Sequence, residues 1–589
     1  MLVLYRLFLL RVALGVHGTK ITNETSVASG QTFDYVKKLS AKGYSVLLIE
    51  AGKDLQNNRT SRQCGLISIL ALNDDPSTDC NWHYVGSYEN GTALPIKIDN
   101  GKCVGGSSSI NGMVWYRPTA AELDAIEGLG NPGWNSTTMF PYMKAIEHNH
   151  PPDAAQRADG ANLVPSFHGF HGPVNVSFPV PMRIPAAQVI YKAAIALVFG
   201  IPDSPDLSDR TGAVSASTSW TIWWDPAAQI TRRASAAYSL LYPQSKQQET
   251  LTVLTEHKVA KVIFDKNLKA TGLQFGPTTG GALQAVRAKY EVLLAAGSLG
   301  TPPILERSGI GSKSILKFFE IEPLVDLPGD QPGTAVSALV NTANASNPSL
   351  IDNRNLFAPV ISLLNIDQLF KNESAALSAK LQNDIKARAK AAVANGVEVN
   401  VDGATQLYTT VTGLMTESKT PITELISESS SGVMYSAFWP LIPLSRGHIH
   451  INSSDPFAAP RITPRFLTDE FDVKVAVKIS KKARSLYRTA PFSPIISQVV
   501  IDAVAANATD AEWAAWYKST SFGASHWLGC SAMRPRAHGG VVSPELKVYG
   551  TSGLRVVDAS ILPFQITSHL MSTLYAVSQK AADMILAAR

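Results

Sequence analysis

The sequence predicts a mixed α/β fold built around a parallel sheet, on three observations. Two short apolar runs, Phe33 to Val36 and Val46 to Glu50, stand close together, and the second ends in an acidic residue, as buried strands carrying a carboxylate at their carboxyl end do. Further β-rich runs, Leu251 to Phe264 and Glu291 to Ala296, return much later and complete one sheet. A chain of 589 residues that is 45% hydrophobic and 17% charged buries a large core and divides into two domains.

Along the chain, Met1 to Gly18 is mostly apolar, is interrupted by Arg6 and Arg11, and ends in Val16-His17-Gly18; this is the pattern of a signal peptide. Nine Asn-x-Ser/Thr sites, at Asn23, Asn58, Asn90, Asn135, Asn175, Asn344, Asn372, Asn452 and Asn507, fit a secretory route. No later segment is long and apolar enough to span a bilayer. Ala375 to Asn395 has Leu377, Leu381, Ile385 and Ala389 at helical spacing, a packing stripe. The Ser-rich Ser427 to Gly432 is a loop before the apolar run Phe438 to Ile451. The net charge of +5 is spread without long basic runs, which excludes nucleic acid as the expected partner.

Four cysteines are too few for a disulfide scaffold. Cys64 and Cys80 lie in one polar stretch and could close it, although sequence alone shows no pairing; Cys103 and Cys530 read as buried, inert thiols. No metal-ligand spacing is present. Near the C-terminus, His526 and His569 flank an apolar run that ends in Asp558. Histidine is the side chain best suited to taking a proton from an alcohol near neutral pH, and two beside one strand indicate a proton-handling site.

Four blocks, in order, resemble the glucose-methanol-choline (GMC) family of flavin oxidoreductases: VLLIEAG (Val46 to Gly52), GKCVGGSSSINGMVWYRP (Gly101 to Pro118), AAGSLGTPPILERSGIG (Ala295 to Gly311), and the C-terminal run from SFGASHWLG through VVDAS to TSHLMS. The resemblance implies an FAD-binding Rossmann-like domain interleaved with an α+β substrate-binding domain of antiparallel sheet and helices. Its N-terminal region would span residues 31–325 and its C-terminal region 443–584. By resemblance His526 is the base that takes the alcohol proton and His569 its neighbour. Glu50 would hold the adenosine ribose through charge-assisted hydrogen bonds, and Val259 would meet the adenine through its backbone. Ser107, Asn111, Gly112 and Val114 would line the isoalloxazine and diphosphate; Asp558, Ala559, Leu570 and Met571 would supply the C-terminal flavin contacts. Relatives that attach FAD covalently use a histidine where this chain has Ile110, so the cofactor is expected to be non-covalent. HGFHGPVNV, within the histidine cluster His148, His150, His168 and His171, resembles a structural turn rather than a metal site.

One departure is large. Between TFDYV and VLLIEAG stand only residues 37–45, KKLSAKGYS. Those nine residues fall short of the dozen or so that a parallel crossover requires, and the phosphate-binding G-x-G-x-x-G turn is absent from this connection. After VDLPG a second family segment is missing before Asp330-Gln331. Glucose-oxidising relatives place Arg and Asn four and two residues before the catalytic histidine, where this chain has Phe522 and Ala524. With Trp527 beside His526, an apolar or aromatic alcohol is favoured over glucose, unless these aromatics belong to the core. The expected activity is a secreted FAD-dependent oxidation of a primary or secondary alcohol, an apolar, aromatic or secondary-metabolite one rather than glucose, with oxygen or another acceptor. The alternatives are a non-redox cyclase of the same fold, resembling versicolorin B synthase, and a flavin-deficient chain.

Overall fold

The computed structural model describes residues 19–36, 43–56, 80–87, 96–158, 160–178, 185–209, 215–217, 219–225, 230–244, 250–327, 336–340, 360–430, 433–494 and 504–588. The leader assigned to residues 1–18, Cys64 and residues 328–335, where the second family segment is missing, lie outside them.

The larger sheet runs in the order Lys20–Thr22, Leu251–Leu254, Val46–Ile49, Thr32–Val36, Gln284–Leu294, Ala270–Pro277, His257–Phe264, with Leu554–Val556 also against Gln284–Leu294. Its first five strands and Leu554–Val556 are parallel, and the other two pair antiparallel. Val46, Leu47, Val253 and Leu254 are fully buried, as strands covered on both faces must be. The run Leu251 to Phe264 is two strands rather than one, broken at Thr255 and Glu256, where Glu256 adopts φ +58°.

The nine-residue connection was expected to be too short, yet Thr32–Val36 and Val46–Ile49 are adjacent and parallel. They share only the pair Tyr35–Val46. Each is held chiefly by its other neighbour: Val46–Ile49 pairs at four positions with Leu251–Leu254, and Thr32–Val36 at four positions with Gln284–Leu294.

The second sheet is antiparallel and six-stranded, in the order Ser521–Gly523, Val336–Val340, Val433–Pro440, Thr423–Ser430, Val360–Leu364, Ser215–Ser217. Ser427 to Ser430 belong to a strand, not to the expected loop. Ser427 Oγ lies 2.9 Å from Ser436 Oγ on the facing strand, and Ser436 Oγ is 2.5 Å from the Tyr487 hydroxyl, so hydroxyls that suggest a loop satisfy one another in the interior. The helix Glu470–Arg488 buries Val475, Ile479, Ala483 and Leu486, one face at helical spacing. Ala375 to Asn395 forms two helices, Ser374–Asn383 and Ile385–Ala394, separated by Asp384. The terminal helix is Met571–Ala587.

His168 of the HGFH turn bridges two carboxylates, with Nδ1 2.7 Å from Glu147 and Nε2 2.7 Å from Asp206, and Glu147 also pairs with Arg117. Burial alone would push the His168 imidazole down, but the hydrogen bonds to Asp206 and Glu147 outweigh it and raise it from 6.5 to about 9. A raised folded-state value means that this contribution to stability is complete below pH 6.5 and is lost as pH rises through about 9. Thermal unfolding midpoints should therefore fall between these limits in the native chain. His168→Asn should be less stable at pH 6 and flatter across the window; an equal slope in both proteins would show that the bridge does not titrate.

Candidate active site

His526 lies in the loop after Ser521–Gly523, directly behind Ser525, which holds φ +57°. That left-handed conformation is uncommon outside glycine and costs free energy that the surroundings must supply. Trp527 is buried and stacks on Phe466, with centroids 6.0 Å apart, and its carbonyl accepts a hydrogen bond from Ser298 Oγ at 2.7 Å. His526 keeps a small exposed surface and makes no hydrogen bond to any described residue. Trp527 thus belongs to the core, which corrects its expected place beside the substrate. The Phe522 side chain lies outside the described residues.

His569 is held by a set of long-range bonds. The Thr567 N–H and hydroxyl both donate to Glu122, the hydroxyl at 2.8 Å, and the Tyr116 hydroxyl donates to the Thr567 carbonyl at 2.9 Å. Glu122 also closes the capping box on Thr119 that starts the helix Ala120–Gly128. His569 Nε2 lies 3.2 Å from Glu424 Oε1; a carboxylate accepts, so Nε2 carries the proton. Glu424 is fully buried and stands opposite Trp439 in the antiparallel pair. The two imidazoles meet edge to face, 4.8 Å between centroids and 88° between planes. Tyr116 and Trp439 meet His569 edge-on at 5.7 and 6.2 Å.

Burial first, and the neighbouring His569 second, push His526 down to about 3. It is therefore neutral, with a lone pair to accept a proton, throughout the range in which most enzymes work. The acid limb of kcat/KM should lie well below pH 6.5, leaving the profile flat from pH 8 to 5. A limb with its midpoint near 6.5 would show that this ring is solvated like a free histidine.

The residues assigned to FAD fall into three groups. Glu50 follows Val46–Ile49 directly. Its Oε1 accepts the Gly52 N–H at 2.8 Å, and its carbonyl accepts the His257 N–H at 3.0 Å, two residues before Val259 on the strand His257–Phe264. The register shifts between Val259 and Lys261, a bulge that disrupts the backbone ladder locally. Gly52 has to be glycine, because a Cβ there would stand 1.9 Å from the Lys102 carbonyl; this close approach ties the Glu50 turn to the GGSSS block.

Within that block Ser107 Oγ accepts the Gly101 N–H and donates to Asn100 Oδ1 at 3.1 Å. Asn111 Oδ1 accepts the Met113 N–H at 3.1 Å and an Arg233 N–H at 2.7 Å, and Arg233 donates also to the Ser108 and Asn111 carbonyls. The Ser107 and Asn111 side chains therefore shape their own loop, and Arg233 clamps it. Gly112 follows Asn111, and Val114 is buried in the short strand Val114–Trp115. At the other end, both Asp558 oxygens are engaged: Oδ2 accepts Gly297 N–H and the Thr301 hydroxyl, and Oδ1 accepts the Ser560 N–H and hydroxyl. Ala559 is buried behind it. Leu570 stands immediately before the terminal helix and Met571 begins it. The sequence did not mark Glu424, Glu122, Tyr116, Trp439 or Arg233. Of these, only Glu424 leaves a signal, a lone acid in the apolar stretch ITELI.

Comparison with known proteins identifies the family. The family models described as GMC oxidoreductase match residues 60–327 with the N-terminal model and residues 443–578 with the C-terminal one. The chain belongs to the GMC oxidoreductase family and is an FAD-dependent oxidoreductase. It is 31% identical to the glucose oxidase-like protein fsoC of Humicola fuscoatra, over 92% of this chain and 91% of that protein. It is 30% identical to glucose oxidase 2 of Penicillium expansum, over 96% and 94%. Among solved structures, an FAD-dependent oxidoreductase from Chaetomium thermophilum superposes with a TM-score of 0.82 at 24% identity, covering 94% of this chain and 99% of that one. A fungal aryl-alcohol oxidase superposes with a TM-score of 0.77 at 23% identity, covering 93% and 95%.

Two features of the structure fit FAD. The terminal helix begins with no side-chain cap, so the positive end of 17 residues of aligned peptide dipoles is open to a negative charge. At the carboxyl end of the parallel strands, Gly297 (φ +79°) has nothing within 4 Å of where a Cβ would stand, which leaves bare backbone for a ligand to approach. The pyrophosphate has no glycine-rich turn to meet it, because residues 37–45 contain none.

Proposed function

We propose that this enzyme oxidises a primary or secondary alcohol of apolar or aromatic character. His526 takes the hydroxyl proton, and His569, fixed through Nε2 by Glu424, aligns the alcohol oxygen. FAD, held without a covalent bond, supplies the hydride acceptor when bound. The observation that carries this reading is the perpendicular histidine pair, in which one ring is anchored to a buried carboxylate and the other makes no bond to a described residue. A resting base as weak as His526 does not generate an alkoxide in a separate step; proton removal has to accompany departure of hydrogen from the carbinol carbon. The support for an apolar substrate is Tyr116 and Trp439 around His569 and Ala524 near His526, not Trp527. Ile110, packed against Leu55, Cys80 and Cys103, offers no nucleophile to a flavin. Among the described residues no helix is long and apolar enough to cross a membrane, and the leader and glycosylation sites support a secreted enzyme.

Steady-state assays of FAD-supplemented protein against benzyl alcohol and glucose test the substrate class. The expected outcome is kcat/KM at least tenfold higher for the aromatic alcohol; a preference for glucose would overturn it. The missing phosphate turn favours one second reading, the non-redox cyclase. A folded protein that stays colourless in excess FAD would support that reading.

A further inference from the structure

Cys80 and Cys103 were expected to play separate parts, one as the candidate partner of Cys64 and the other as an inert thiol. The structure brings them together. Both are buried, at 4% and 0% exposure, in one small apolar cluster with Leu55, against which Ile110 packs. Their backbones are zipped: Asn81 and Gly101 form an antiparallel bridge, Trp82 N–H donates to the Asn100 carbonyl at 2.9 Å, and Lys102 N–H donates to the Cys80 carbonyl at 2.6 Å. The two side chains are in hydrogen-bond contact, which together with burial holds the Cys103 thiol well above the ordinary thiol range. Cys530 lies elsewhere, its Sγ 3.8 Å from the Leu528 carbonyl.

We propose that Cys80 and Cys103 are joined by a disulfide in the mature protein. The bond forms by thiol–disulfide exchange with a small or protein disulfide. One thiolate attacks the oxidant's disulfide, the second cysteine displaces the mixed disulfide, and the oxidant leaves as two thiols. Cys80 and Cys103 lose two protons and two electrons between them, and the oxidant gains both. Burial and a raised thiol value both slow attack, so the exchange belongs to folding, before the two thiols are buried beside Leu55 and Ile110. Once formed, the bond closes a 24-residue segment, residues 80–103. It also fixes the residue just before Val104-Gly105-Gly106, next to the Gly52–Lys102 contact that supports the Glu50 turn. This chain would thus secure covalently the start of the GGSSS loop beside the Glu50 turn.

The test uses the full chain, reduced and denatured, then refolded with FAD in a glutathione redox buffer; this makes it independent of how the protein is secreted in the cell. Alkylation in denaturant without reductant should modify two of the four cysteines. Digestion with trypsin and an Asp-specific protease should give the Cys80 peptide linked to the Cys103 peptide. Cys64→Ser should keep that linkage and leave one modifiable thiol. Four modifiable thiols, or Cys80 linked to Cys64 with Cys103 modified, would overturn the proposal. Neither outcome bears on alcohol oxidation, which is read separately by flavin reduction.

Discussion

His526→Ala should lower kcat/KM for the preferred alcohol by about 10²–10⁴-fold, the range that a positioned general base contributes, while folding and FAD content stay unchanged. The ring makes no hydrogen bond to a described residue, so its removal leaves no partner stranded, in contrast to His569, whose loss would leave Glu424 buried without its bond. Added imidazole should restore part of the activity to the alanine variant and none to the native enzyme. An alanine variant within threefold of the native rate would remove His526 from the chemistry. His569→Ala, by comparison, should reduce both activity and stability, because it unpairs a fully buried carboxylate.

Restoring a G-x-G-x-x-G turn and its helix between Val36 and Val46 should tighten FAD binding by about 10²–10⁴-fold. Hydrogen bonds to charged groups are worth about 1.5–3 kcal/mol each, and a glycine-rich turn at a helix N-terminus supplies at least two to a pyrophosphate. The sheet should tolerate the graft, because both flanking strands are secured by their outer neighbours. Titration of apo-protein with FAD, followed by quenching of flavin fluorescence, gives the dissociation constants directly. Equal constants in the native and grafted chains would mean that other groups already hold the pyrophosphate.

The sequence revealed the local words of this site and missed its long-range joints. GGSSS, VVDAS and the two histidine blocks are legible because each sets its geometry within a few residues: Asp558 caps its own turn through Ser560, and Ser107 and Asn111 shape a single loop. Glu122 and Glu424 act across 445 and 145 residues of chain, and no local pattern marks the partner of a buried carboxylate. Ser427 to Ser430 looked like a loop because serine is usually solvated; facing Ser436 and Tyr487 reverse that reading. Trp527 looked like a substrate wall because it adjoins His526, but residues adjacent in an irregular loop need not share a side, and Phe466 draws it into the core. The short crossover was read from the usual length of βαβ units, and the two strands nevertheless pair, each chiefly with its outer neighbour.

The most direct test of the central claim is anaerobic reduction of the FAD-loaded protein by an aromatic alcohol, followed at the flavin's visible band. The account predicts bleaching in the native chain and bleaching slowed by about 10²–10⁴-fold in His526→Ala. A loaded protein that keeps its visible band in excess alcohol would contradict it.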